Sequence, residues 1–300
     1  MTKLEFDRRF DPAYGAAEQV SPLIRRVLAE NPSAFTFAGT GTYIVGRGKV
    51  AVIDPGPDLA SHMDALAQAL QGETVTHILV THTHRDHSPA SRPLQRLTGA
   101  PILAFGPQGT GRENQGDEVE EGADRDFRPD KELRDGDVIR GDGWTLEAVH
   151  TPGHTSNHLC FALAEEKALF SGDHVMGWST TVISPPDGDM AAYMRSLRKL
   201  LTRDDAIYWP THGPAIRNPH DFVRGLIAHR EEREAEILAA VAAGRRTIPE
   251  IVAEVYRDVP TYLHPAAARS VLAHMIHLVE TRRLVTDGPA RADGRYEIPA

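Results

Sequence analysis

The chain has 300 residues, 41% of them apolar, a formal net charge of −9 and a single cysteine, Cys160. This composition excludes a disordered chain and an internal disulfide, and the acidic balance argues against a polyanion-coating protein. Length alone predicts two domains, and 15 histidines are the one unusual count.

In chain order, Thr42–Val45 and Lys49–Ile53 are β-branched runs about Gly46-Arg47-Gly48, which predicts a hairpin. Leu59, Met63, Leu66 and Leu70 recur at helical spacing, with Gly72 placed to stop the helix. His77–Val80 predicts a short strand running directly into Thr81-His82-Thr83-His84-Arg85-Asp86-His87. Ile102–Phe105 predicts another strand, after which periodicity vanishes as far as Leu133. Residues 112–126 hold seven acids against two arginines, the pattern of a solvated loop or of a lid beside a site. Thr145–Val149, Leu159–Leu163 and Ala168–Phe170 read as strands. Asp189 is placed to cap a helix carrying Met190, Met194, Leu197 and Leu201 on one face. Ile207–Trp209 is a last strand before Pro210-Thr211-His212-Gly213.

Beyond Gly213 the texture turns helical. Phe222, Leu226, Ile237 and Val241 mark a long amphipathic helix ending at Gly244. Thr247-Ile248-Pro249-Glu250 fits a capping box opening a second helix, and Pro265 fits the first turn of a third carrying Leu272, Met275, Ile276 and Val279. Leu284–Thr286 and Arg295–Ile298 read as two strands. Helix, helix and hairpin predict a small winged helix. The expected division is 1–215, a connecting helix over 216–246, and 247–300. No apolar stretch approaches the roughly 20 residues a bilayer requires, and Met1–Phe10 has no apolar core of a secretory signal. The expected location is therefore cytoplasmic.

The chemistry concentrates where strands end. Side chains two apart in an extended segment point the same way, so His82 and His84 can grip one cation together. Asp86 and His87 follow after a turn and can reach a second. His154 in Thr151-Pro152-Gly153-His154, Asp173 in Ser171-Gly172-Asp173 and His212 in Pro210-Thr211-His212 each lie just beyond a predicted strand. Their convergence predicts His82, His84 and His154 for one ion and Asp86, His87 and His212 for another, with Asp173 able to bridge. Histidine and carboxylate donors without cysteine suit zinc, and also iron or manganese. Two such ions about 3.5–4 Å apart share a water and generate hydroxide near neutral pH. Asp86 is the expected proton carrier.

The run His82-x-His84-x-Asp86-His87, with the later His154, Asp173 and His212 in order, resembles the HxHxDH signature of the metallo-β-lactamase superfamily. That resemblance implies an α/β fold, an αββα sandwich with a dinuclear centre at one edge, over roughly residues 35–215. Asn31-Pro32-Ser33, Gly39–Gly46, the winged-helix-like tail and His229-Arg230-x-x-Arg233-Glu234 resemble the lactamase-beta-two-like branch of that superfamily.

Further side chains have two readings each. Asp54, after a strand, is expected to orient a metal-bound histidine. His158 is either a neighbour of the metals or substrate, or a part-exposed strand residue. Trp178, Ser179, Thr180 and Thr181 either line a substrate cleft or form a surface loop. Arg230 and Arg233 are either glutamate-paired on a helix surface or contact an anionic group at the cleft rim. His150 and His174 read as structural, and Cys160 as core.

The expected activity is metal-dependent hydrolysis of a small ester, thioester or lactone, with a free or acyl-carrier substrate. The alternative is a single-stranded RNA nuclease, which the branch resemblance includes. Residues 247–300 hold six arginines against seven acids, a poor balance for holding nucleic acid. The tail is instead expected to be a lid or a homodimer element. A winged-helix regulator and a true β-lactamase are weaker readings.

Overall fold

The computed structural model describes residues 4–109 and 122–299, so most of the acidic 112–126 segment lies outside the described residues. Seven strands form the first sheet, in spatial order β1 (Ala17–Gln19), β2 (Ile24–Leu28), β3 (Gly41–Val45), β4 (Lys49–Ile53), β5 (Thr74–Leu79), β6 (Ile102–Ala104) and β7 (Lys131–Glu132). It is antiparallel as far as β4 and parallel from β4 to β7. The second sheet runs β12 (Ile207–Pro210), β11 (Ala168–Gly172), β10 (Leu159–Leu163), β9 (Thr145–His150), β8 (Val138–Arg140), antiparallel except where β11 meets β12.

The period-two alternation of a strand decides which face each residue serves. Tyr43, Val45, Ala51 and Ile53 face the second sheet, where they meet Trp144, Phe161, Phe170 and Trp209. Their neighbours Ile44, Val50 and Val52 face outward, onto Leu66 of α1 (Ala60–Ala69) and Leu94 of α2 (Ser91–Thr98). The second sheet turns Cys160, Leu169 and Tyr208 onto Leu197 of α3 (Met190–Leu200) and Val223 and Leu226 of α4 (Pro219–Ala242). Each such buried side chain contributes about 1.5–3 kcal/mol, and together they define four layers, helix, sheet, sheet, helix. Cys160 lies wholly inside, and burial pushes its thiol up to about 12.

The 24-residue helix α4 belongs to two cores. Its first half packs on the second sheet, whereas Ile237, Ala240 and Val241 join α5 (Ile248–Val255), α6 (His264–Glu280), Leu284 and Tyr296 in a separate cluster. The short pair β13 (Val285–Thr286) and β14 (Tyr296–Glu297) closes it. Local chemistry starts these helices as expected. Asp189 accepts a bond from the Ala192 amide at 2.7 Å, and Glu250 accepts from the Thr247 amide at 3.0 Å to complete the capping box.

Strands β1, β2, β7 and β8 carry too little apolar pattern to be read from the sequence. In β2, Arg25 and Arg26 interrupt the run, and both are held by acids, Glu73 and Glu18. No helix among the described residues is long and apolar enough to cross a membrane.

One buried histidine outside the site gives acid sensitivity. His62 touches the Thr42 hydroxyl and the Pro55 carbonyl, and burial lowers its pKa to about 4. Its folded pKa lies below the unfolded one, so its stabilisation is complete above about pH 6.5 and is lost as pH falls towards 4. Chemical denaturation at several pH values is expected to show up to roughly 3 kcal/mol less of this loss in His62→Gln than in the parent; equal slopes refute the assignment.

Candidate metal centre

Strands β4, β5, β9, β11 and β12 all deliver their carboxyl ends to one edge of the sandwich, the place where α/β folds present ligands. Asp54 follows β4, residues 80–87 follow β5, and His154, Asp173 and His212 follow β9, β11 and β12. Two glycines make the loops fit. Gly153, just before His154, has φ +142°, and a Cβ there would lie 2.4 Å from the Tyr193 backbone. Gly172, just before Asp173, has φ +53°, and a Cβ would lie 2.5 Å from the His158 ring.

Seven side chains converge in three overlapping sets: His82, His84 and His154; His82, His87 and Asp173; and Asp86, His87 and His212. The His84 Nδ1 atom lies 3.0 Å from His82 Nε2 and 3.2 Å from His154 Nε2. Asp86 Oδ2 is 3.2 Å from both His87 Nε2 and His212 Nε2. Asp173 spans the sets, with Oδ2 3.5 Å from His87 Nε2 and 3.7 Å from His154 Nε2, and Oδ1 3.3 Å from His212 Nε2.

The outer ring nitrogens are held by the protein, which fixes the inward atoms as donors. His154 Nδ1 donates to the Val182 carbonyl at 2.7 Å, and His212 Nδ1 donates to the Gly39 carbonyl at 3.1 Å. His87 Nδ1 lies 2.9 Å from Asp54 Oδ2. Asp54 also accepts from the Thr81 amide and hydroxyl, each at 2.7 Å, and from the Thr211 hydroxyl at 3.1 Å. It does so with φ +49°, an unusual backbone conformation that these bonds hold in place. Thr40 donates to Asp86 Oδ2 at 3.2 Å.

Charge divides the cluster in two. Burial lowers His82 far below the usual imidazole range and brings His84 to about 3, with the neighbouring imidazoles adding to the effect. At the other end burial works against the charged forms, yet Asp86 and Asp173 hold His87 well above its ordinary range and His212 at about 10. The same attraction overcomes burial to hold both acids well below the carboxylate range.

The residues fit a divalent cation. His87 Nε2 and Asp173 Oδ1 are buried without a hydrogen-bond partner, which a donor set without a further occupant would not tolerate cheaply. Donor separations of 3.0–3.7 Å match the roughly 3.3 Å between ligands bonded tetrahedrally at about 2.0–2.1 Å. The cluster opens on a cavity of about 410 Å³ whose other walls include Ser33, Phe35, Thr36, Arg85, Met176 and Val182.

Residues 36–212 match the model of the metallo-beta-lactamase superfamily, and residues 247–291 match that of the beta-lactamase associated winged helix domain. The chain belongs to the metallo-beta-lactamase superfamily. As a member it is a hydrolase, and its His and Asp groups can hold a metal. The lactamase-like protein adaB of Aspergillus niger is 31% identical over 298 residues, covering 92% of this chain and 86% of the relative. An atrochrysone carboxyl ACP thioesterase of Paecilomyces divaricatus is 36% identical over 233 residues, covering 77% and 68%. The crystal structure of a beta-lactamase domain protein from Burkholderia ambifaria shares the fold, with a TM-score of 0.81, 22% identity and coverage of 97% and 95%.

Within this superfamily fold the remaining candidates fall in distinct places. Asp54 lies behind His87. His158 is fully buried, which removes the part-exposed reading; its Nε2 accepts the Asp173 amide at 3.2 Å and its Nδ1 meets Thr151 Oγ1 at 2.9 Å. His150 reaches the Ser156 carbonyl at 3.1 Å within the His154 loop. His174 is buried with its ring 4.9 Å from that of Tyr193. Trp178 and Ser179 are not among the lining residues. The Trp178 ring stacks 4.9 Å from Phe37 instead. Arg230 and Arg233 are not at a cleft rim either. Arg230 is buried, and Arg233 reaches the Val255 carbonyl and Glu236 and lies over the Tyr256 ring. A helix face read as solvated is here covered by α3 and α5. The lining residues Phe35, Met176 and Val182 were not singled out in the sequence, because lone apolar residues in irregular segments have no period to mark them.

Proposed function

We propose that the centre binds two divalent cations and hydrolyses a thioester, ester or lactone of a small apolar acyl group, an acyl-carrier thioester foremost. The observation that carries this reading is the position of Asp173, which faces His154 of one donor set and His87 and His212 of another, on the wall of a cavity with an apolar side. Five imidazoles and two carboxylates without a thiolate favour zinc, with iron or manganese as alternatives. When bound, such ions polarise a carbonyl oxygen and bring the pKa of water down to about 7.

The protein's own groups supply the rest. Asp86 makes its histidine contacts through Oδ2, and its side chain is 25% exposed, towards the cavity it lines. Its carboxylate accepts the proton of the attacking water as the water oxygen bonds to the acyl carbon. The carbon–sulfur or carbon–oxygen bond then breaks, and Asp86 returns the proton to the leaving thiolate or alkoxide. Arg85 is the one lysine or arginine among the described lining residues, which favours a carbonyl substrate over a polyanion. The thioesterase name of the Paecilomyces relative supports the acyl-carrier choice.

Phe35, 43% exposed, with Met176 and Val182 forms the wall that the acyl group would cover. Phe35→Ala is expected to raise KM roughly tenfold with little change in kcat, the loss of about 1–2 kcal/mol of apolar contact. Steady-state kinetics decide it, and an unchanged KM removes Phe35 from the substrate site. The function itself is tested with zinc-, iron- and manganese-loaded protein against thioester, lactone, phosphodiester and β-lactam substrates, with metal content measured. Turnover confined to the phosphodiester or the β-lactam, or independent of metal, overturns the proposal.

A further inference from the structure

We propose that Arg230 is a positioning residue: from α4 it holds the Thr181–Val182 segment, which in turn fixes the ring of His154 and the backbone of Asp173 in the metal centre. The proposal rests on reading that centre as a metal site.

Arg230 is only 5% exposed. Among the described residues no carboxylate pairs with it. Its Nη2 donates to the Thr181 carbonyl, its Nε has no partner, and its guanidinium carbon lies 5.5 Å from the centre of the Tyr193 ring. A buried cation without a counter-ion is costly, so this arrangement is not explained by stability. What the guanidinium does hold is a junction. The Thr181 hydroxyl donates to the carbonyl of Asp173 at 2.8 Å and to that of His174 at 3.0 Å. The next carbonyl, Val182, receives His154 Nδ1 at 2.7 Å. Two adjacent residues thus contact both a histidine of the first donor set and the backbone of the acid shared between sets.

The segment needs an anchor. Between β11 and α3 the chain runs from Asp173 to Asp189 without helix or strand, a long connection for a compact domain. Donor atoms must stay within about 0.5 Å of their working positions. Among the described residues, the regular element whose side chain contacts the Thr181 carbonyl is α4, and the contact is Arg230. The same helix carries Ile237 and Val241 into the winged-helix core, so the tail is tied to the centre through one rigid body.

The experiment compares Arg230→Met, Arg230→Lys, Thr181→Val and Leu278→Ala with the parent. Zinc affinity is measured by competition with a chromophoric chelator, and the His154 tautomer by ¹⁵N NMR of metal-free protein. Arg230→Met and Thr181→Val are each expected to weaken zinc binding by roughly 10–100-fold and to mix the His154 tautomers. Arg230→Lys, which can still donate to the Thr181 carbonyl, is expected to recover much of the affinity. Leu278→Ala, in the tail core, is expected to lower the melting temperature and leave zinc affinity unchanged. Parental affinity and tautomer in Arg230→Met overturn the proposal, as does an equal loss of affinity in Leu278→Ala. If Arg230→Met does not fold, parental affinity in Thr181→Val overturns it. If the parent itself binds no zinc, the metal reading fails, while the tautomer measurement still decides what Arg230 holds.

Discussion

On the proposed two-cation reading, Asp173→Ala is expected to lower kcat/KM by about a thousandfold or more and to reduce bound metal to one equivalent or fewer. Among the described residues, Asp173 is the side chain that faces His87, His154 and His212 at once, at 3.5, 3.7 and 3.3 Å. Removing it takes away a carboxylate that faces histidines of both ends of the centre and leaves Asp86 beside His87 and His212, with Asp54 behind His87. Losing one cation forfeits several kcal/mol of charge stabilisation, and each 1.36 kcal/mol is tenfold in rate. Metal analysis and steady-state kinetics on the same sample check this. Two retained equivalents with near-parental turnover would falsify the bridging role.

Asp86→Asn separates proton transfer from metal binding. The amide keeps the shape of the side chain and an oxygen able to meet His87, His212 and the Thr40 hydroxyl, now contacted by Oδ2. It cannot accept a proton. Metal content is therefore expected to remain largely intact while kcat falls by about 10²–10⁴, the usual worth of a positioned general base. Full activity would remove the proton-carrier role. Parallel loss of metal and rate would reduce Asp86 to a ligand.

The two variants bear on residues that can be read from the sequence, for a reason particular to them. His82, His84, Asp86 and His87 are close along the chain, so their geometry is local: a strand ends and polar donors follow at fixed spacing. His154, Asp173 and His212 are each marked by a strand–turn boundary and by the glycine or proline beside it. Arg230 shows the opposite case. Its spacing from Leu226 and Ile237 puts it on the apolar face, unlike Arg224, which is exposed and paired with Asp221, but nothing within the helix says what a guanidinium there would hold. What a buried helix residue meets is decided by what packs on that face, here Tyr193 of α3 and the Thr181 carbonyl, which lie far away in sequence.

The same division runs through the fold. The sequence by itself determined the elements with a strong period, the helix starts at Asp189 and Thr247, and the donor types that suit a divalent cation, because these depend on neighbours within a few residues. Only the tertiary structure decided that five strand ends share one edge, that Phe35, Met176 and Val182 wall the cavity, and that Trp178 stacks on Phe37 away from it. Those outcomes follow from sheet pairing and layer packing, which sum many weak apolar contacts between segments distant in the chain. The 15 histidines that stood out in the composition divide on the same line: five supply inward donors in the centre, and the backbone ends that deliver them decide which five.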